Sequence, residues 1–110
     1  MIKNVSKNKV LADKYLVANS LFKQVLGLMF RKQKVSLLFN FSMENNRSFH
    51  TCFMKYSIDV LFLDSDKKVA KIVRSVKPWK LSITGRAKYV IELPSGKSLN
   101  TKIGDKINFK

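Results

Sequence analysis

The residues best equipped for chemistry fall in one short run, His50-Thr51-Cys52-Phe53-Met54, followed by Asp59. On a β-strand, positions 50, 52 and 54 point to one face. Imidazole, thiolate and thioether would then line up as a ligand set for a soft metal such as Cu(I). The same spacing puts a thiol beside an imidazole, as in a Cys–His nucleophile, but no third group that would orient the histidine is evident. The competing account is packing: Cys52 and Met54 fill a core, and His50 is a hydrogen-bonded residue near a strand end. Packing is favoured, so no metal and no cofactor is expected.

Two carboxylates stand in apolar surroundings. Asp59 lies between Ile58 and Val60, just before Leu61-Phe62-Leu63, and Glu92 lies within Tyr89-Val90-Ile91-Glu92-Leu93-Pro94. A carboxylate at the lip of a buried strand needs a partner. Asp59 is expected to cap a turn or pair with a lysine or His50; the functional alternative is the acid or base of a pocket. The same choice applies to Glu92. If His50, Asp59 and Glu92 converge, the pocket gains support.

Other signals are weaker. Asp64 and Asp66 sit beside Lys67 and Lys68, the composition of a solvated turn. Lys77-Pro78-Trp79-Lys80 sets the single tryptophan between lysines, where it could stack on a nucleic-acid base or lie half-buried on a sheet edge. There is no Gly-rich phosphate loop, C-x-x-C pair, nucleophile elbow or H-E-x-x-H motif.

Charge narrows the partners. Lys and Arg total 22 against 7 Asp and Glu, a formal net charge of +15. That favours anionic partners, whether nucleic acid or an acidic ligand. Only Arg31, Arg47, Arg74 and Arg86 are arginines, and lysine contacts phosphate without reading base edges. The basic residues are scattered and asparagine and isoleucine are plentiful too, so a lysine-biased source proteome is the simpler explanation and a dedicated nucleic-acid binder the lesser one. The polar start Met1 to Lys9 lacks a signal peptide's apolar run. No apolar stretch approaches the ~20 residues of a membrane span. Cys52 is the only cysteine, which rules out an internal disulfide. A cytoplasmic protein of one domain, residues 1–110, is expected.

The elements that must position these groups follow from periodicity. Val10 to Ala18 reads as a strand. Asn19 and Ser20 would cap a helix over Ser20 to Phe30, where Leu21, Phe22, Val25, Leu26, Leu28 and Met29 recur at helical spacing. Gly27 inside it suggests a close neighbour or a helix end. Val35 to Phe41 is a strand, Ser42 to Arg47 a polar turn, and Phe49 to Met54 and Asp59 to Leu63 are further strands. A hairpin loop at 64–68 leads to a strand over Val69 to Val76, stopped by Pro78. Arg86 to Leu93 follows, then the turn Pro94-Ser95-Gly96-Lys97, and Gly104-Asp105 turns the chain into a last strand, Lys106 to Phe109. This pattern predicts an α+β fold: one principal helix, about 20–30, on a mostly antiparallel, strongly curled sheet or small barrel.

Three segments together resemble a known family. They are Leu26-Gly27-Leu28-Met29-Phe30-Arg31; His50-Thr51-Cys52-Phe53-Met54 with Ile58-Asp59-Val60-Leu61-Phe62-Leu63-Asp64; and Ala87 to Gly96 with Gly104-Asp105-Lys106. Their order and spacing are similar to domain-of-unknown-function family 192, also called uncharacterised protein family 0127, in its archaeal branch. The resemblance covers about residues 10–109. It implies a single mixed α/β domain and no activity. Ser57 stands where similar sequences usually have proline, and Cys52 where they usually have an aromatic or aliphatic residue. A metal site built on Cys52 would therefore not be the family's general function.

The leading expectation is a binding module whose pocket is framed by Gly27, Met29, His50, Met54, Asp59 and Glu92, because packing alone would not choose a helical glycine, a histidine and two carboxylates within apolar segments. A small enzyme using His50 with Asp59 or Glu92 in acid–base work is one alternative. A nucleic-acid accessory protein that meets phosphate through its lysines, with Lys77, Trp79 and Lys80 at the contact, is the other.

Overall fold

The computed structural model describes residues 1–17, 34–49, 56–80 and 82–109. Every regular element among these residues is a β-strand: β1 (Ile2–Asn4), β2 (Lys9–Ala12), β3 (Leu16–Val17), β4 (Leu37–Phe49), β5 (Ile58–Leu63), β6 (Val69–Val76), β7 (Ile83–Pro94) and β8 (Ile107–Phe109). They form two sheets, a three-stranded one in the order β2-β1-β8 and a five-stranded one in the order β3-β4-β7-β5-β6.

This corrects the expected α+β fold with one curled sheet or small barrel. The described residues are all-β and are divided between two sheets. The helix expected at about 20–30 lies outside the described residues. Pairing is antiparallel except between β3 and β4, which run parallel through Leu16↔Leu37 and Val17↔Leu38.

Strand β5 explains the layering. All six of its residues are buried, so it carries an apolar run rather than an alternation. It lies between β6 and β7 with a core on each face. One core joins Leu61, Leu63, Tyr89, Ile91, Leu93 and Leu38 to Ile2, Leu11 and Ile107 of the small sheet. The other gathers Ile58, Val60, Phe62, Ala87 and Val90, with Phe39, Phe41, Phe49 and Tyr56 against them. Successive residues point to opposite faces, so the two cores draw on alternate positions of β5 and β7.

Aromatic packing organises the second core. The Phe39 and Phe49 rings meet edge to face at 5.0 Å, and the Arg47 guanidinium lies 3.8 Å over the Phe41 ring. Gly85 is required where Phe62 fills that core, since a methyl group on Gly85 would sit 2.8 Å from the ring.

The small sheet is tied on by a buried polar network. The Asn4 amide donates to Thr101 Oγ1 and to Asp105 Oδ2, each at 3.0 Å. Lys7 reaches Asp105 Oδ1 at 3.3 Å. The Asn4 hydrogen bond, joined by those from Lys102 and Lys7, holds the Asp105 carboxyl below its ordinary range against the opposing effect of burial.

Candidate functional site

Asp59 and Glu92 do not converge. Asp59 pairs with Leu93 across β5 and β7, and Val60 pairs with Glu92. Leu93 belongs to the first core and Val60 to the second. The two carboxylates therefore project from opposite faces of one sheet.

The Asp59 carboxylate is fully engaged. Its Oδ1 accepts from the Ser75 N–H at 2.9 Å. Its Oδ2 accepts from the Gly96 N–H at 3.1 Å, the Ser98 N–H at 3.2 Å and the Ser98 hydroxyl at 2.7 Å. These bonds hold two irregular features. In β6, Ile58↔Val76 is followed by Val60↔Val73, so Arg74 and Ser75 together oppose Asp59 in a bulge. Ser75 takes a left-handed φ of 53° there, which a non-glycine residue adopts only with support. The other feature is the turn after β7, where Gly96 has a φ of 96° and the Lys97 N–H donates to the Pro94 carbonyl. A buried carboxylate is satisfied here by three backbone N–H groups and one hydroxyl, the arrangement of a structural clamp.

Glu92 is the opposite case. It is 8% exposed on the central strand β7, between Leu37 of β4 and Val60 of β5. Among the described residues no hydrogen bond or ion pair reaches its carboxylate, and burial alone raises its pKa to about 7. Tyr56, packed against the same core, feels the Glu92 charge. Burial pushes the Tyr56 phenol above its ordinary value, Glu92 adds to that, and the hydrogen bond with Val35 opposes both. The Tyr56 oxygen accepts from the Val35 N–H at 3.1 Å and its hydroxyl donates to the Val35 carbonyl at 3.4 Å, fixing the chain where it enters β4. A carboxyl group poised near neutrality in apolar surroundings can hold or release a proton, or anchor a polar ligand atom.

Gly27, Met29, His50 and Met54, with Cys52, lie outside the described residues. Trp79 is 59% exposed and has a φ of 67°, with Lys77 and Lys80 exposed around it. Among the described residues no group of three or more His, Cys, Asp or Glu side chains gathers to hold a metal ion. No described helix is long and apolar enough to cross a membrane.

Sequence comparison places this geometry. The model of domain-of-unknown-function family 192, described as Uncharacterized ACR, matches residues 2–109. The chain belongs to this family. A UPF0127 protein of Pyrococcus horikoshii is 42% identical over 99% of this chain and 98% of its own length. One from Thermococcus sibiricus is 39% identical over 100% of this chain and 75% of its own. The archaeal branch that the resemblance suggested agrees with these relatives. A similar fold is seen in a crystal structure of a protein of unknown function from Novosphingobium aromaticivorans, with a TM-score of 0.75 and 24% identity over 84% of this chain and 72% of that one. A crystal structure from Sinorhizobium meliloti has a TM-score of 0.76 and 24% identity over 84% of this chain and 79% of that one. At this identity the likeness concerns the fold alone.

One part of the site had no sequence signal. Tyr56 was not singled out, because its partner Val35 is a backbone group 21 residues away and nothing in the tyrosine's neighbours points to it.

Proposed function

We propose that this family 192 protein is a cytoplasmic ligand-binding module whose polar anchor is Glu92. One observation carries the reading: a carboxyl group buried on the central strand, with no hydrogen bond or ion pair from the described residues and a pKa of about 7. A group placed for stability alone is ordinarily paired, as Asp59 is. The second core and Tyr56 supply an apolar wall with a phenol in it, and Gly27, Met29, His50 and Met54 are the further residues proposed to frame the pocket. The test is a thermal-shift screen of metabolites against wild type and Glu92→Gln. A ligand at a hundred times its Kd adds roughly 2.7 kcal/mol of stability. The reading expects a compound that raises the wild-type melting temperature and leaves the variant unmoved. Equal shifts in both proteins, or none with any compound, overturn it.

An enzymatic version has one specific support, since a carboxyl group near neutrality suits acid–base work. Its partner would be His50 rather than Asp59, whose carboxylate is occupied on the other face.

The nucleic-acid reading rests on Trp79, exposed and in a left-handed backbone between Lys77 and Lys80. It expects log K to fall with log salt by about 0.7 per neutralised phosphate on single strands, together with quenching of the tryptophan. A Kd weaker than about millimolar at physiological salt removes it.

A further inference from the structure

The chain forms a groove of about 710 Å³ where three separate segments meet: the β2–β3 stretch, the approach to β4, and the turn after β7. Each segment brings a lysine to the lining: Lys14, Lys34 and Lys97, all exposed. Asp13 is the one acid among the lining residues.

These three cations differ from most others in the described chain. Lys7 and Arg86 pair with carboxylates, at Asp105 and Glu44. Lys71 donates to the Thr84 carbonyl, Lys106 to the Asp66 carbonyl, and Arg74 to the carbonyls of Ser98 and Thr101. Arg47 covers Phe41 and Lys67 lies over the Phe109 ring. Lys14, Lys34 and Lys97 have no such engagement among the described residues, and they converge on a concavity. A concave wall focuses the potential of the charges that line it.

The remaining lining is mixed. Val10, Leu16, Val35 and Pro94 are apolar, while Ser36 and Ser95 carry hydroxyls. The volume lies within the range of small-molecule sites, roughly 300–1,000 Å³, and far exceeds an inorganic ion. A partly apolar wall with a cationic rim suits a solute that has both an apolar body and an anionic head.

We propose that the groove between Lys14, Lys34 and Lys97 is a binding site for a small organic anion with an apolar body, of the organic phosphate or carboxylate class. The site does not rest on the Glu92 reading, because Glu92 is not among its lining residues.

The experiment is an amide NMR titration of the full chain with phenyl phosphate, and with phenylpropionate in parallel to rank the two head groups. Benzyl alcohol serves as the neutral counterpart and inorganic phosphate as the head alone. The proposal expects shifts concentrated at residues 13–16, 34–36 and 95–97, with either anion binding at least about tenfold more tightly than benzyl alcohol and than inorganic phosphate. Lys14→Gln, Lys34→Gln and Lys97→Gln together should weaken the favoured anion by about tenfold or more. Removing the same charge elsewhere, with Lys68→Gln, Lys71→Gln and Lys102→Gln, should cost less than about twofold. Shifts spread evenly over the lysine surface, equal losses in the two triple variants, or benzyl alcohol binding as well as the anions would overturn it.

Discussion

Val60 on β5 faces Glu92 on β7, and this one register pair puts the protein's two buried apolar-strand carboxylates on opposite sides of a sheet. Asp59, one residue before Val60, turns the other way and is consumed by backbone N–H groups. Glu92 shares its face with Val60 and with the aromatic core. Two acids that look equivalent along the chain thus do different work, one holding turns and the other standing without a described partner.

Glu92 makes stability depend on pH with a definite sign. Its folded pKa, about 7, lies above the ordinary 4.5, so between these values the folded state holds a proton that the unfolded state has lost. Its contribution is complete at and below about pH 4.5 and is lost as pH rises through 7. The loss approaches roughly 3 kcal/mol, at about 1.36 kcal/mol per unit. Denaturant melts at pH 5 and pH 8 should show this fall in wild type, and Glu92→Gln should abolish most of it. A wild type equally stable at both pH values would contradict a buried Glu92 carboxyl with its pKa raised to about 7.

Asp59→Ala should be among the most damaging single substitutions. It strands the N–H groups of Ser75, Gly96 and Ser98 together. Leaving buried donors unpaired costs about 1–3 kcal/mol each, so a total of roughly 3 kcal/mol or more is expected in the denaturant midpoint. Asp59→Asn should recover only part, because its amide NH2 would meet donors.

Gly85→Ala should destabilise by roughly 1–3 kcal/mol, since its methyl group would press on the buried Phe62 ring. Phe62→Leu loses packing by itself. In the double variant the two costs should fall short of their sum, because the smaller side chain makes room. Full additivity in the double-mutant cycle would show that the ring is not the obstacle.

Tyr56→Phe should release the strand entry at Val35. Expected are a loss of about 1 kcal/mol and faster hydrogen exchange at the Val35 amide, with exchange in β5 and β6 unchanged. Unaltered exchange at Val35 would count against the tyrosine as the tether.

Much of the sheet was legible in advance, for local reasons. The apolar run of β5, the Asp64–Lys68 loop and β6 were readable because strand, turn and strand follow each other with little intervening chain. In the hairpin loop the Asp64 carboxylate caps the N–H groups of Asp66 and Lys68, a solvated turn as its composition implied. The polar stretch Ser42 to Arg47 was read as a turn, yet β4 continues through it to Phe49. That half of β4 extends beyond the two-residue β3, so among the described residues one side has no strand partner and polar residues are tolerated there, and its pairing with β7 shifts between Asn40 and Asn45. Strand β1 was missed altogether: Lys3 and Asn4 look like a polar leader, and Asn4 is buried only because Thr101 and Asp105, about a hundred residues away, accept its amide hydrogens. Of the candidate pocket, Asp59 and Glu92 were identifiable as residues, but which face each takes depends on register, and register is a property of strand pairs.

The strand order also governs when the fold can exist during synthesis. Among the described strands, β7 is the neighbour that β4 and β5 share, and β8 is the strand that completes the β1 edge. A chain emerging from the ribosome can form the β1–β2 and β5–β6 hairpins as each is released. The two cores must wait for residues 83–109, which are made after the strands they join. Until those residues emerge, β6 is the one described strand that can shelter the apolar β5, the interval in which a nascent chain most needs a chaperone.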